Sequence, residues 1–233
     1  MRYVHRIKIV FLLFAGLCFF IPSTSGQVNY YEFKDKQIYF GINIGLNFSD
    51  FNFTPIPREE SVDSILGINS SLGPGFNLGI ISNYQFHEYF DLRFVPALSF
   101  SDKKSDFLML DGQTIPKTIN SIYFSFPLHL RFKSQPINDF RIFVLGGMRY
   151  DFDLASNSGK RKAEDQIKIR KHDLSLEYGI GFSFYFPYFI FSPEFKMSHG
   201  ILNIHDRDTN LIFSRAIDSL FSRAFTISIN LEG

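Results

Sequence analysis

Apolar and polar residues alternate one by one through most of this chain. From Tyr39 to Phe48, the residues Phe40, Ile42, Ile44, Leu46 and Phe48 occupy one face and Gly41, Asn43, Gly45 and Asn47 the other. A period of two predicts a β-strand. The same code runs from Phe76 to Phe86, Leu92 to Phe100, Ile122 to Phe132, Leu174 to Phe184, Phe189 to His199 and Ser222 to Leu231. An eighth run, Phe140 to Tyr150, is less regular, because Phe143 and Leu145 share a face with Arg141, Gly147 and Arg149. Pro96 and Pro193 fall inside predicted strands, where a missing amide donor usually marks a bulge or an edge.

The connections alternate in length. Residues 49–74, 101–118, 152–172 and 200–218 read as long loops, and residues 87–88, 133–139 and 187–188 as short turns, with both ends of the chain on the short-turn side. Short turns on one side and long loops on the other are the layout of an outer-membrane barrel. The predicted fold is therefore all-β, an eight-stranded antiparallel up-and-down transmembrane β-barrel over residues 38–233, preceded by a short polar periplasmic lead over 27–37.

Volume decides which face points outward. A soluble lipocalin-like barrel places its apolar face inside, but eight strands enclose only enough room for side chains to fill. A face bearing Phe at most turns does not fit there, whereas Gly, Ser, Asn and a few charged residues do. Outward Phe and Leu in water would exceed the few hundred square ångströms of apolar patch usual for soluble proteins. In lipid they are solvated by acyl chains, so a bilayer is the natural surround.

Composition agrees with this reading. The 233 residues hold 30 Phe and 11 Tyr but no Trp, with mean hydropathy near zero. The uninterrupted apolar run Ile9 to Ile21 is too short for a helix across the hydrocarbon, which needs about 20 residues. With Arg2, Arg6 and Lys8 before it and Pro22 to Gly26 after it, the run has the three-part layout of a secretory signal peptide over residues 1–26. Of the 24 bases, 21 then remain against 23 acids, a balance unsuited to nucleic acid. Cys18, the single cysteine, lies in the leader behind Leu17, where a lipid anchor would need a small residue. The exported chain thus has no disulfide, thiolate metal site or cysteine nucleophile, and no cofactor is expected.

Arg93, His129, Arg131, Glu177, Glu194 and Lys196 fall on the predicted inner face. Buried charge persists when paired, so these six are expected to form an interior polar network closing the lumen. His172 with Asp173, His199 beside Ser198 and His205 with Asp206 lie near loop ends. Adjacent residues on a strand face opposite ways, so Ser198 and His199 do not make a nucleophile and base. Lys160, Arg161, Lys162, Lys168, Arg170 and Lys171 form a basic stretch, read as a solvated loop or as a contact for lipid phosphates. The glycosylation-like Asn47-Phe-Ser49 and Asn52-Phe-Thr54 carry little meaning in a bacterial outer-membrane chain.

Several stretches together resemble the PorT family of outer-membrane barrels: Gly41 to Gly45, Leu92 to Leu98, Phe124 to Leu130, Gly146 to Ser156 and Ser192 to Gly200. The most specific are Gly146-Gly-Met-Arg-Tyr-Asp-Phe-Asp-Leu-Ala-Ser156 and Ser192-Pro-Glu-Phe-Lys196. The resemblance implies a non-enzymatic component of the type IX secretion machinery, which exports carboxy-terminally tagged cargo and, in gliding bacteria, surface adhesins. Implied partners are outer-membrane lipids, lipopolysaccharide and other secretion components, with no small-molecule substrate. Against the usual barrel pattern, the chain ends Leu231-Glu232-Gly233 without a terminal aromatic. Rival readings are a general barrel acting in adhesion or envelope stability through its outer loops, and a lipid-modifying hydrolase with its site at the rim.

Mass spectrometry of the protein from outer membranes should find a new amino terminus near Ser25 to Val28. A retained Met1 would overturn the leader.

Overall fold

The computed structural model describes residues 29–55, 65–154, 169–206 and 217–233. The expected leader and most of the basic stretch lie outside them. The described chain holds one short helix, α1 (Tyr30–Lys34), and ten strand segments: β1 (Ile38–Pro55), β2 (Ile65–Ser71), β3 (Gly73–Gln85), β4 (Phe90–Phe94), β5 (Ala97–Met109), β6 (Thr114–Lys133), β7 (Phe140–Asp153), β8 (His172–Tyr185), β9 (Ile190–Gly200) and β10 (Ile217–Glu232). All pairings are antiparallel, and β1 hydrogen-bonds both β10 and β3, which closes the sheet on itself.

Ten segments make eight ring positions. Segments β4 and β5 are one strand, because Ser82↔Phe94 and Gly79↔Ala97 on one side, and Phe94↔Leu128 and Ala97↔Ser125 on the other, keep a single register. The interruption is Pro96, which accepts from the Ile80 amide at 3.0 Å but has no donor to return. No bulge forms there. Pro193 likewise leaves the β8–β9 register unshifted on its two sides, from Gly181↔Glu194 to Phe184↔Phe191. A bulge lies instead at Leu72–Gly73, where β2 continues β3 with one extra residue, as Ser71↔Lys104 and Gly75↔Ser101 show. A Cβ on Gly73 would lie 1.7 Å from the Asp102 carbonyl oxygen, so only glycine passes so close to β5.

Outward positions form an apolar belt running around the barrel, including Phe40, Ile80 (65% exposed), Leu128, Val144, Ile180 and Ile229. Towards the short turns the belt ends in rings, with Phe90 against Phe132 at 5.1 Å, Phe140 against Phe184 at 5.1 Å and Phe186 against Phe189 at 4.9 Å. Aromatic girdles of this kind mark a membrane–water boundary.

Two of the expected long loops are largely strand. β1 extends to Pro55 and β3 is prolonged by β2, while β5 and β6 continue to Met109 and from Thr114, so that β6 has 20 residues. The cause is an inversion of the code. Beyond the belt the outward residues are polar, such as Asp50, Asn52, Asp102 and Lys104, and the buried inward ones become apolar, such as Phe51 and Phe107. Alternation persists, but the surround has changed from lipid to water.

Arginine at Leu128 or Ile180 should destabilise the barrel folded into lipid vesicles by about 2 to 4 kcal/mol, with a smaller loss for Ser125→Arg on the inner face. Urea titrations of the vesicle-folded protein measure both, and equal losses would show that the apolar belt does not face hydrocarbon.

Candidate functional site

The lumen is filled in layers, starting at the short turns. There α1 closes the barrel by placing Tyr30 and Phe33 against Tyr39, Tyr185 and Ile190. Tyr30 meets Tyr185 edge-on at 5.2 Å. Asp139, in the turn before β7, accepts from the Tyr30 amide at 2.9 Å and from Asn29 Nδ2 at 3.2 Å. Buried Arg141 donates to the Ser134 and Glu88 carbonyls and to the Tyr30 hydroxyl, pinning helix and turns together. Burial raises the Tyr30 phenol above its ordinary pKa while the Arg141 guanidinium pulls it down, so it stays a neutral partner. The lead read as polar therefore carries an apolar plug.

Above the plug lies an ion network. Arg131 donates through Nε to Asp91 Oδ1 at 2.5 Å and through Nη2 to Asp91 Oδ2 at 2.6 Å, a two-pronged contact whose planar geometry suits guanidinium. Lys133 Nζ reaches the same carboxylate at 3.0 Å. Arg93, fully buried, bridges Glu194 on β9 and Glu232 on β10. Asn83 Oδ1 accepts from both arginines, at 3.3 Å from Arg93 and 2.9 Å from Arg131. Both guanidinium groups lie over the Phe143 ring, at 6.0 and 4.8 Å. That ring fits because Gly181 faces it: a Cβ there would come within 2.3 Å of Phe143.

The next layer joins His129 Nε2 to Glu177 Oε2 at 2.8 Å, Arg149 Nη1 to Glu177 Oε1 at 3.6 Å, and Lys196 Nζ to Glu194 Oε2 at 3.4 Å. Towards the long loops the lining turns to Asn, Ser and Thr around a cavity of about 50 Å³ bordered by Asn47, Ser101, Asp151, Asp173 and Thr226. A polar space of that size holds a few water molecules. Lys103 roofs it, with its ammonium 4.4 Å over Phe51 and donating to the Tyr123 hydroxyl at 2.8 Å. Above Lys103, Phe51, Phe107, Ile169, Ile204, Ile217 and Leu220 form a buried apolar cap.

All six residues singled out from the sequence lie in this lumen, and Arg93 with Glu194, Glu194 with Lys196, and His129 with Glu177 are in direct contact. Arg131 pairs with none of the other five; its principal partner is Asp91. Asp91 and Glu232 were not among the candidates, although parity marks both. Asp91 stands two before Arg93, just outside the predicted strand, and Glu232 follows outward Leu231 in what reads as a tail. Among the described residues the other histidines form no metal-holding group. His172 faces outward, stacked on Tyr150 and hydrogen-bonded to its hydroxyl at 2.6 Å, and His199 stacks on Tyr178 while Ser198 is buried in the lumen.

A protein-family model described as "Outer membrane protein beta-barrel domain" matches residues 26–206. No curated protein matches the sequence. Among solved structures, OprG from Pseudomonas aeruginosa is similar at 11% identity over 84% of this chain and 93% of its own, with a TM-score of 0.49. Neisserial surface protein A gives 11% identity, 84% and 96% coverage and 0.44. Ail, the attachment invasion locus protein of Yersinia pestis, gives 14% identity, 85% and 100% coverage and 0.36.

Arg93→Met should destabilise the barrel by about 3 to 5 kcal/mol, because Glu194 and Glu232 lose their common counter-charge in a buried site. Adding Glu194→Gln and Glu232→Gln should recover most of the loss. Urea unfolding from detergent micelles reads both, and a loss below about 1 kcal/mol would place the pair in solvent.

Proposed function

The chain belongs to the outer membrane protein beta-barrel domain family and resides in the outer membrane, and from that premise we propose that it is a closed, non-conducting structural or assembly component of the type IX secretion machinery. The observation that carries the non-conducting half is the layered lumen: plug, ion network and apolar cap lie one above another inside a single eight-stranded ring. A polypeptide does not pass through such an interior, so the protein serves a conduit built elsewhere.

The secretion half rests on the resemblance to the PorT family. Its two most specific stretches supply inner-face residues: Gly147, Arg149, Asp151 and Asp153 from one, and Ser192, Glu194 and Lys196 from the other. Gly147 is required where it stands, since a Cβ there would lie 2.0 Å from the Leu128 carbonyl oxygen. The shared motif is thus read as the recipe for the sealed interior. Partners on this reading are other secretion components and the surrounding outer-membrane lipids, including lipopolysaccharide; no catalysis, cofactor, nucleic acid or small-molecule substrate is proposed.

A second reading, adhesion or envelope stability through the outer end, is favoured by the strand extensions beyond the lipid belt, which build a rigid platform from β1, β2, β5 and β6. One deletion strain separates the two. Tagged cargo trapped in the periplasm supports the secretion role, and normal cargo release with weakened attachment or detergent resistance supports the other. Purified protein in planar bilayers should show no steady large conductance under either reading, and a stable large pore would sink the closed-barrel premise.

A further inference from the structure

On the outward face of β8 the residues change character in order of depth. Exposed His172 comes first, with exposed Arg170 just before the strand, and below them Leu174, Leu176, Tyr178 and Ile180 face the lipid side in turn. Headgroup chemistry at the strand's entry thus precedes acyl-chain chemistry along it. Beside the upper end of this column, exposed Leu154, Ile201 and Leu202 widen the apolar ledge.

The polar top of the ledge is a cleft of about 620 Å³ bordered by Arg170, Lys171, His172, Leu202, Asn203 and Asp206. That lies within the size range of small-ligand sites. Among the described residues its lining sets Arg170 and Lys171 against the carboxylate of Asp206, together with amide and imidazole groups suited to a polyhydroxylated, phosphorylated ligand. The cationic segment is held in place by its backbone: the Arg170 amide donates to the Ile204 carbonyl at 2.8 Å, and the Lys171 carbonyl accepts from the Asp153 amide at 2.7 Å. His172 is fixed through Nδ1 by the Tyr150 hydroxyl at 2.6 Å, which leaves Nε2 to offer a ligand.

We propose that this cleft binds the phosphorylated headgroup of an outer-leaflet glycolipid, with Arg170 and Lys171 on the phosphate and the lipid's acyl chains on Leu174, Leu176, Ile201 and Leu202. The inference rests on outer-membrane residence and on the long-loop end facing outward, and it does not depend on the secretion role. Guanidinium takes phosphate in paired hydrogen bonds and ammonium adds a point charge. The apolar ledge selects a lipid over a free phosphate, because inorganic phosphate gains nothing from it.

The test uses the full exported protein folded into phosphatidylcholine vesicles, with bis-phosphorylated lipid A, dephosphorylated lipid A and inorganic phosphate as probes, and native mass spectrometry to count retained lipid. Bis-phosphorylated lipid A should be retained by the natural protein and lose affinity about tenfold for each cation removed in Arg170→Ala and Lys171→Ala. Dephosphorylated lipid A should bind both forms weakly and equally, and millimolar phosphate should not displace the lipid. Lys104→Ala, a cation at the same end on β5, serves as the comparison and should retain lipid like the natural protein. Undiminished retention by a variant carrying both Arg170→Ala and Lys171→Ala, binding of dephosphorylated lipid A as tight as that of the bis-phosphorylated lipid, or full displacement by inorganic phosphate would each overturn the proposal. Cargo release is not part of this readout, so failure of the secretion reading leaves it untouched.

Discussion

Hydrocarbon offers the backbone no hydrogen-bond partner, and the rest of this structure follows from meeting that constraint. A sheet in lipid must have no free edge within the bilayer, and β1 satisfies it by pairing with β10 along one side, from Gly41↔Glu232 onward, and with β3 along the other, from Ile38↔Tyr84 onward. The proline interruptions are tolerable for the same reason. Pro96 still accepts from Ile80, so the defect amounts to one missing donor and the register on both sides is kept.

Closure at eight strands then fixes what the interior contains. A narrow lumen has to be filled, and alternation hands that task to the residues between the lipid-facing ones, which here include many charged groups. Burying them is costly unless each finds a counter-charge. The buried cations Arg93, Arg131, Lys133 and Lys196 meet the carboxylates of Asp91, Glu194 and Glu232, the less buried Arg149 meets Asp151 and Glu177, and buried Arg141 is satisfied by carbonyls and the Tyr30 hydroxyl. Near-equality of sign keeps such an interior from repelling itself. It also leaves a lumen whose contents tie β4, β6, β9 and β10 to one another, so the side chains cross-link strands that are not neighbours in the ring.

At the two ends the fill becomes apolar. The aromatic plug under the ion network lies level with the phenylalanine rings that end the belt, with Phe40, Phe184 and Phe186 exposed outside it, whereas the Phe51–Leu220 cap above the polar cavity sits beyond the belt, where water replaces lipid outside the wall. There the barrel obeys the rule of a soluble protein, polar outside and apolar within. The same pleated strand therefore carries two opposite codes along its length, and the boundary between them is a marker of where the membrane ends.

The sequence by itself determined the strand count, the up-and-down order, the lipid-facing side and the inner location of Arg93, His129, Arg131, Glu177, Glu194 and Lys196, because a period of two depends only on local backbone geometry. It did not yield the outer strand extensions, since a reading keyed to outward apolar residues stops where the code inverts at Asp50 and Phe51. Nor did it yield the choice of partners. Arg93 meets Glu194 and Glu232 across 101 and 139 residues of chain, and Arg131 prefers Asp91 to any candidate beside it. Those pairings were decided by the tertiary structure alone, because which charges face one another across a lumen depends on how the ring closes and on the stagger of each strand, and neither is written in any local stretch.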